Sequence, residues 1–135
     1  MEDIIMYGSA KSDKTSTAEL EKQFRIAKEY SDLYGMKISA VYFDISNSDR
    51  VDQRHGLQEI LALAAAGEAR TIVVSDLAKI STNIAQVAYW LEKLNRTNTR
   101  LISRKGCGDD VCSADNLALY HCICRFAQEK PEKKT

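Results

Sequence analysis

The 135-residue chain has one proline, six glycines and one tryptophan, too little punctuation for a low-complexity or collagen-like chain. It has no run of about eighteen apolar residues, which excludes a membrane-spanning helix. It also lacks a secretory start: Met1-Glu2-Asp3 is acidic and passes straight into Ile4-Ile5-Met6, where an export signal would open with basic residues. A cytoplasmic protein is expected. There is no surplus of either charge, with 19 Lys and Arg against 19 Asp and Glu. Gripping nucleic acid needs an excess of cations, so DNA binding by this chain alone is expected to be weak or absent. What remains is 44% hydrophobic and 28% charged, the make-up of one globular domain. A chain of this length buries roughly two-thirds of its unfolded surface and folds without a disulfide or metal.

The four cysteines, Cys107, Cys112, Cys122 and Cys124, fall in the last third with spacings C-x4-C and C-x-C. Zinc sites use C-x2-C pairs, whose turn aims both thiolates at one ion. His121, Cys122 and Cys124 stand too close together to converge from a regular helix. No metal and no cofactor are expected. Cys122 and Cys124 read as small core or interface residues. With no export signal the thiols are expected to stay reduced, and Cys107 and Cys112, in a Gly/Asp loop, are the ones open to oxidation.

Strand and helix patterns alternate along the chain. Ile4–Tyr7 is a short apolar run, followed by a polar stretch from Ser9 to Thr17. Leu20, Phe24, Ala27 and Tyr30 then recur at helical spacing, with Thr17 as the expected cap and Gly35 as the stop. Ile38 to Phe43 is a second strand, and Asp44 to His55 a polar loop. A helix from about Gly56 to Ala66 follows, then a β-branched strand, Thr71–Ser75. A third helix carries Ile84, Val87, Ala88, Leu91 and Leu94, with Asn98 at the left-handed position behind it. Arg100–Ser103 is a fourth strand, and a last helix spans about Ala114 to Gln128 before the charged tail 129–135. Strands that are apolar throughout and separated by helices imply a parallel sheet covered on both faces. The expected fold is α/β, a three-layer sandwich around a mainly parallel four-stranded sheet, with one domain over residues 1–128. Functional groups in such sheets gather at the carboxyl ends of the strands.

The last helix is apolar on more than one side. Leu117, Tyr120, Cys124 and Ala127 form one face, and Leu119, Ile123 and Phe126 another. A helix apolar on most sides wants cover on most sides. Leu117, Tyr120, Ile123, Cys124 and Phe126 are therefore expected at an interface with a second copy or a related chain.

The loops and the scaffold together resemble the catalytic domain of the serine recombinases, the resolvase/invertase family, from about Ile4 to Phe126. The family's opening strand ends in a Tyr-x-Arg-Val-Ser-Thr-Asp type motif, and this chain reads Tyr7-Gly8-Ser9-Ala10-Lys11-Ser12-Asp13. The family's Ser-x-x-Leu-Glu-x-Gln helix start is matched, with one extra residue, by Ser16-Thr17-Ala18-Glu19-Leu20-Glu21-Lys22-Gln23. Arg54-His55-Gly56-Leu57 stands where the family has Arg-Pro-Gly-Leu. Val74-Ser75-Asp76-Leu77-Ala78-Lys79-Ile80-Ser81-Thr82-Asn83 stands where it has Val-x-x-Leu-Asp-Arg-Leu-Ser-Arg-Asn. Gln86 to Leu94 also has the family's look.

The resemblance implies a reaction, transesterification of DNA. A serine hydroxyl attacks a backbone phosphate to leave a 5′-phosphoserine link and a free 3′ hydroxyl, while arginines hold the charge on phosphorus. Carried over position by position, most of that chemistry is missing here. The nucleophile falls on Lys11 and the arginine two residues earlier on Ser9. The Asp-Arg pair of the third loop becomes Ala78-Lys79, and its later arginine becomes Thr82. Arg54 alone keeps its position, and Lys79 keeps charge without the two-pronged guanidinium. A protonated lysine does not attack phosphate unless its pKa is strongly lowered. Family members also normally extend the last helix into a DNA-binding module, whereas this sequence reaches Thr135 with Pro131 closing the helix region.

The expected function is therefore that of a recombinase catalytic-domain homologue, inactive in strand exchange and acting by dimerisation with itself or with an active recombinase. The alternative is an active DNA strand transferase using Ser9 or Ser12. Ser12 neighbours the lost nucleophile, but adjacent residues of an extended segment point to opposite sides. Ser9 lies on the same side as Lys11 but about two residues deeper. Asp76 stands in for the missing aspartate only with a local slip of two residues. Simpler readings stand beside these. Arg54 and His55 form either a solvated loop pair or a phosphate-site remnant. Tyr89-Trp90 is packing rather than a base-stacking platform. Lys130, Lys133 and Lys134 belong to a solvated tail. A nucleotide-binding fold is a more distant possibility, because Ser9 to Thr17 has no glycine-rich cradle.

Overall fold

The computed structural model describes residues 2–103. The expected interface residues Leu117, Tyr120, Ile123, Cys124 and Phe126, the four cysteines, the boundary at 128 and the charged tail lie outside the described residues. The described chain runs β1 (Glu2–Ala10), α1 (Ser16–Leu33), β2 (Met36–Ile45), a 3-10 turn (Val51–Gln53), α2 (His55–Ala65), β3 (Thr71–Val74), a second 3-10 turn (Leu77–Lys79), α3 (Ile84–Arg96) and β4 (Arg100–Ser103). The four strands form one sheet in the order β2-β1-β3-β4, with every pairing parallel. The expected α/β architecture is the one observed.

The two inner strands explain the apolar runs. In β1, Ile4 and Met6 pack with Ala27 of α1 on one face, joined by Val73 and Ile102. Ile5 and Tyr7 point the other way, into a larger core with Leu57 and Ile60 of α2 and Val87, Trp90 and Leu91 of α3. All four residues of β3 are buried. Right-handed crossovers require helices on opposite faces when the direction of winding reverses. The chain steps from β1 one way to β2 and then back across to β3 and β4, so α1 covers one face and α2 with α3 the other. The reversal falls between β1 and β3, the point where such sheets open a crevice at their carboxyl ends.

Strand β2 departs from the expectation of cover on both faces. It is an edge strand, and Val41, Phe43 and Ile45 are each about half exposed (44%, 52% and 45%). These three residues pair with Met6, Gly8 and Ala10, on the sheet face that α1 covers. Earlier in the strand the register slips: Ile4 pairs with Ile38 but Ile5 with Ala40, leaving Ser39 as an extra residue. Ser39 Oγ donates to the Ile4 carbonyl (3.0 Å). A bulge moves every following side chain to the opposite face. Ile38 therefore packs in the α1 layer, while Ala40 and Tyr42 pack in the α2/α3 layer.

The bulge also decides where Asp44 goes. Its carboxylate reaches the amino end of α2, where Gly56 N donates to Oδ1 (2.9 Å) and Leu57 N to Oδ2 (3.3 Å). The first amides of a helix have no partner within the helix, and a carboxylate placed there satisfies two of them and meets the positive end of the dipole. Tyr7 completes the arrangement, its hydroxyl donating to Asp44 Oδ2 (2.7 Å). Burial first, and the Asp44 carboxylate second, push the Tyr7 phenol far above its ordinary value, so it remains a donor.

Helix ends follow the sequence with one exception. Gly35, Gly67 and Asn98 adopt the left-handed conformation behind their helices (φ 69°, 77° and 57°). Asn83 caps α3, accepting from Ala85 N (2.9 Å). Thr17, the expected cap of α1, lies inside the helix instead. The turn before it is tied earlier, by Asp13 Oδ1 accepting from both the amide and the hydroxyl of Thr15 (2.7 Å each). The Tyr89-Trp90 pair divides: Trp90 is fully buried, with Nε1 donating to the Leu57 carbonyl (3.3 Å), and Tyr89 is half exposed with Lys93 Nζ 4.8 Å from its ring centre. Among the described residues, no helix is long and apolar enough to cross a membrane.

Gly56 has no room for a side chain. A Cβ there would stand 2.7 Å from Asp44 Oδ2, which Tyr7 and Leu57 hold in place, and 2.9 Å from the main-chain oxygen of Phe43. Gly56→Ala is expected to lower stability by about 1–3 kcal/mol, the cost of forcing atoms into a filled site. A urea unfolding curve checks this, through a lowered midpoint at unchanged slope.

Candidate functional site

A pocket of about 400 Å³ opens at the carboxyl ends of β1 and β2 and beside the loop after β3. Ser9, Lys11, Asp49, Arg54, Lys79 and Thr82 are among the residues of its wall. Three segments separated in sequence thus meet at the reversal point of the sheet.

The floor is the end of β1, held by Gln23 of α1. The Gln23 amide reproduces a strand partner, Nε2 donating to the Ser9 carbonyl (2.6 Å) and Oε1 accepting from Ser9 N (2.9 Å). A polar side chain buried this deeply keeps its place only by satisfying both its groups. Gly8 makes the approach possible, since a Cβ there would lie 2.8 Å from Gln23 Oε1 and 3.0 Å from the Phe24 ring.

Arg54 lies just before α2 and is only 8% exposed. Its Nε donates to the Ser48 carbonyl (3.0 Å). Its Nη1 meets the carbonyls of Lys79 (2.7 Å) and Ile80 (2.9 Å) and the Ser9 hydroxyl (3.2 Å). Its Nη2 stands 3.6 Å from Asp49 Oδ1. The Ser9 hydroxyl itself donates to the Lys79 carbonyl and is buried with it. The guanidinium thus joins the loop after β2 to the loop after β3. Nε and Nη1 engage the main chain, and Nη2 faces the Asp49 carboxylate.

Asp49 makes a second link between the same loops. Its carboxylate accepts from Thr82 N (2.9 and 3.1 Å) and Thr82 Oγ1 (2.5 Å), and its carbonyl accepts from Ser81 Oγ (2.8 Å). Burial works to raise the Asp49 pKa, but the Thr82 and Ser81 hydrogen bonds and the Arg54 charge outweigh it and hold the carboxyl below its ordinary value. On the α1 side, Lys79 Nζ faces Glu19 Oε2 at 4.0 Å. The wall carries Lys11, Arg54 and Lys79 against Asp13, Glu19 and Asp49, so its cations are matched by carboxylates.

Of the residues singled out in the sequence, Ser9, Lys11, Arg54 and Lys79 come together here. Ser12 does not: it is exposed outside the pocket wall, with its amide donating to Asn47 Oδ1 (3.1 Å). Asp76 does not replace a missing aspartate either, because its carboxylate caps its own turn by accepting from Ala78 N (2.9 Å). The solvated-pair reading of Arg54 and His55 fails for Arg54, which is buried, while His55 is exposed. Sequence reasoning missed Asp49, Glu19 and Gln23. Gln23 was visible as part of the helix-start motif. Asp49 is one polar residue in the run Ser46–Asp52, and no spacing marks it.

The family profile described as Resolvase, N terminal domain, matches residues 9–133. Among solved structures, the fold is similar to a resolvase family site-specific recombinase from Streptococcus pneumoniae, with TM-score 0.72 at 16% identity, covering 96% of this chain and 89% of that one. It is also similar to the N-terminal catalytic domain of TP901-1 integrase, with TM-score 0.70 at 17% identity, covering 95% and 98%. A third likeness is to the C-terminal catalytic domain of ISC1926 TnpA, an IS607-like serine recombinase, with TM-score 0.67 at 19% identity, covering 76% and 70%. No curated protein sequence is a significant match.

The Asp49 link carries a pH dependence. A carboxyl that binds its proton less readily folded than unfolded adds stability wherever it is ionised in both states. That contribution is present above the unfolded value of about 3.9 and is lost as pH falls through the lower folded value. The stability advantage of wild type over Asp49→Ala is therefore expected to be constant above about pH 5 and to shrink below about pH 4. Urea midpoints of the two proteins across that range check it.

Proposed function

The chain belongs to the resolvase family, and we propose that within it this is a catalytic-domain homologue that does not exchange DNA strands and works by pairing, with a second copy or with an active recombinase. One observation carries the first half. The Ser9 hydroxyl, the only serine hydroxyl of the β1 end directed into the wall, is buried and held between the Lys79 carbonyl and Arg54 Nη1. A nucleophile must lose its proton to a neighbouring base and have an approach to phosphorus. The Ser9 hydroxyl donates its hydrogen bond to a main-chain carbonyl, which cannot take the proton as a base would. Lys11 stands where the resemblance puts the attacking serine, and Ser12 lies outside the pocket. The pairing half rests on the sequence alone, on the apolar spacing of Leu117, Tyr120, Ile123, Cys124 and Phe126 within a domain taken to span residues 1–128. Weak DNA binding follows from the matched charges, and a cytoplasmic location from the sequence.

The chemistry is tested with a nicked suicide duplex bearing the crossover site of a recombinase to which the chain is added. No covalent adduct of this chain is expected. An adduct that disappears in Ser9→Ala or Ser12→Ala contradicts the proposal and establishes the strand transferase instead. Pairing is tested by sedimentation of the chain alone and mixed with a full-length relative. A dimer or mixed dimer, broken by Ile123→Asp, is expected, and monomer alone at high concentration overturns the pairing.

A further inference from the structure

The pocket of a phosphate-transferring family is expected to attract anions, and three cations of this one still stand in its wall. Asp49 works against them. It is fixed in position by three hydrogen-bond contacts from Thr82. It stands 3.6 Å from Nη2, the Arg54 nitrogen without a carbonyl contact, and both residues line the pocket. Asp49 holds its negative charge more firmly than an ordinary aspartate. A phosphate entering beside this carboxylate would meet a like charge and be repelled.

We propose that Asp49 sets the selectivity of this pocket against phosphate, its carboxylate serving Arg54 as a built-in counter-anion in place of a phosphate oxygen. This rests on the reading of the site as inactive and supplies a cause beyond the lost nucleophile. A hydroxyl restored at position 11 would still face a pocket closed to its substrate. Thr82 acts as the positioning residue. Its amide and hydroxyl aim the carboxylate, and they occupy the stretch of loop where the resemblance puts a further arginine.

Asp49→Asn separates charge from shape, because the amide oxygen still accepts from Thr82 while the charge is gone. The probe is inorganic phosphate at neutral pH and constant ionic strength, followed by NMR shifts of the Lys11 and Thr82 amides and the Arg54 Nε–H. Wild type is expected to show no saturating shift at these positions. Asp49→Asn is expected to show one, with phosphate bound at least about tenfold more tightly. Thr82→Val, which removes the hydroxyl contact and keeps the charge, is expected to gain much less. Equal binding by wild type and Asp49→Asn, no binding by either, or shifts confined to other lysines overturns the proposal. Should Asp49→Asn fail to fold, the wild type alone still decides, since saturating phosphate shifts at Arg54 and Thr82 contradict it. Failure here is distinct from failure of the inactive reading, which a covalent DNA adduct would show.

Discussion

A guanidinium taken out of water must find acceptors for its donors, or the fold loses more by burying it than it gains. Arg54 finds them in the carbonyls of Ser48, Lys79 and Ile80, in the Ser9 hydroxyl and in the facing Asp49 carboxylate. These groups come from the end of β1, the loop after β2 and the loop after β3. The three segments that frame the pocket are thus fastened to one charged group, and the position of each depends on the others. Hydrogen bonds to a charged donor are worth about 1.5–3 kcal/mol apiece, so this centre is stiff. What stiffens it also spends part of it, because Nε and Nη1, engaged by carbonyls, are not offered to a phosphate, while Nη2 faces Asp49.

The rest of the site elaborates this constraint. Asp49 and Thr82 tie the same two loops a second time. Gln23 fixes the backbone of Ser9 from the opposite side through α1. Asp44 anchors the start of α2, the helix that Arg54 immediately precedes. The Ser39 bulge is what brings Asp44 to that face at all. Family chemistry asks this crevice for preorganised donors aimed at phosphate around an exposed hydroxyl. Here the Ser9 hydroxyl and Arg54 Nε and Nη1 are engaged within the protein.

Much of this fold could be read from residues alone, because apolar strands and left-handed helix stops are local signals. Gly35, Gly67 and Asn98 mark their turns by the backbone they require. Thr71–Val74 announces an inner strand by having nothing polar in it. The bulge at Ser39 leaves no such mark, since Met36, Ile38, Ala40 and Tyr42 alternate as if the strand were regular. Edge exposure of Val41, Phe43 and Ile45 depends on strand order, which apolar content does not encode. In the site, Ser9, Lys11, Arg54 and Lys79 were legible through motif positions. The state of Arg54 was not, because its partners are main-chain carbonyls about 25 residues away, and a carbonyl has no residue type. Asp49 escaped for the same reason, its importance resting on a neighbour 33 positions further on.

The unfolding free energy of Arg54→Lys tests most directly whether this arginine belongs to the fold instead of to a ligand. Lysine keeps the charge but cannot reach two loops at once. A loss on the order of 3 kcal/mol is expected, the scale for breaking a buried charged contact. Stability within about 0.5 kcal/mol of wild type, the scale of an ordinary surface change, would mean that the guanidinium is free for a phosphate and would contradict it.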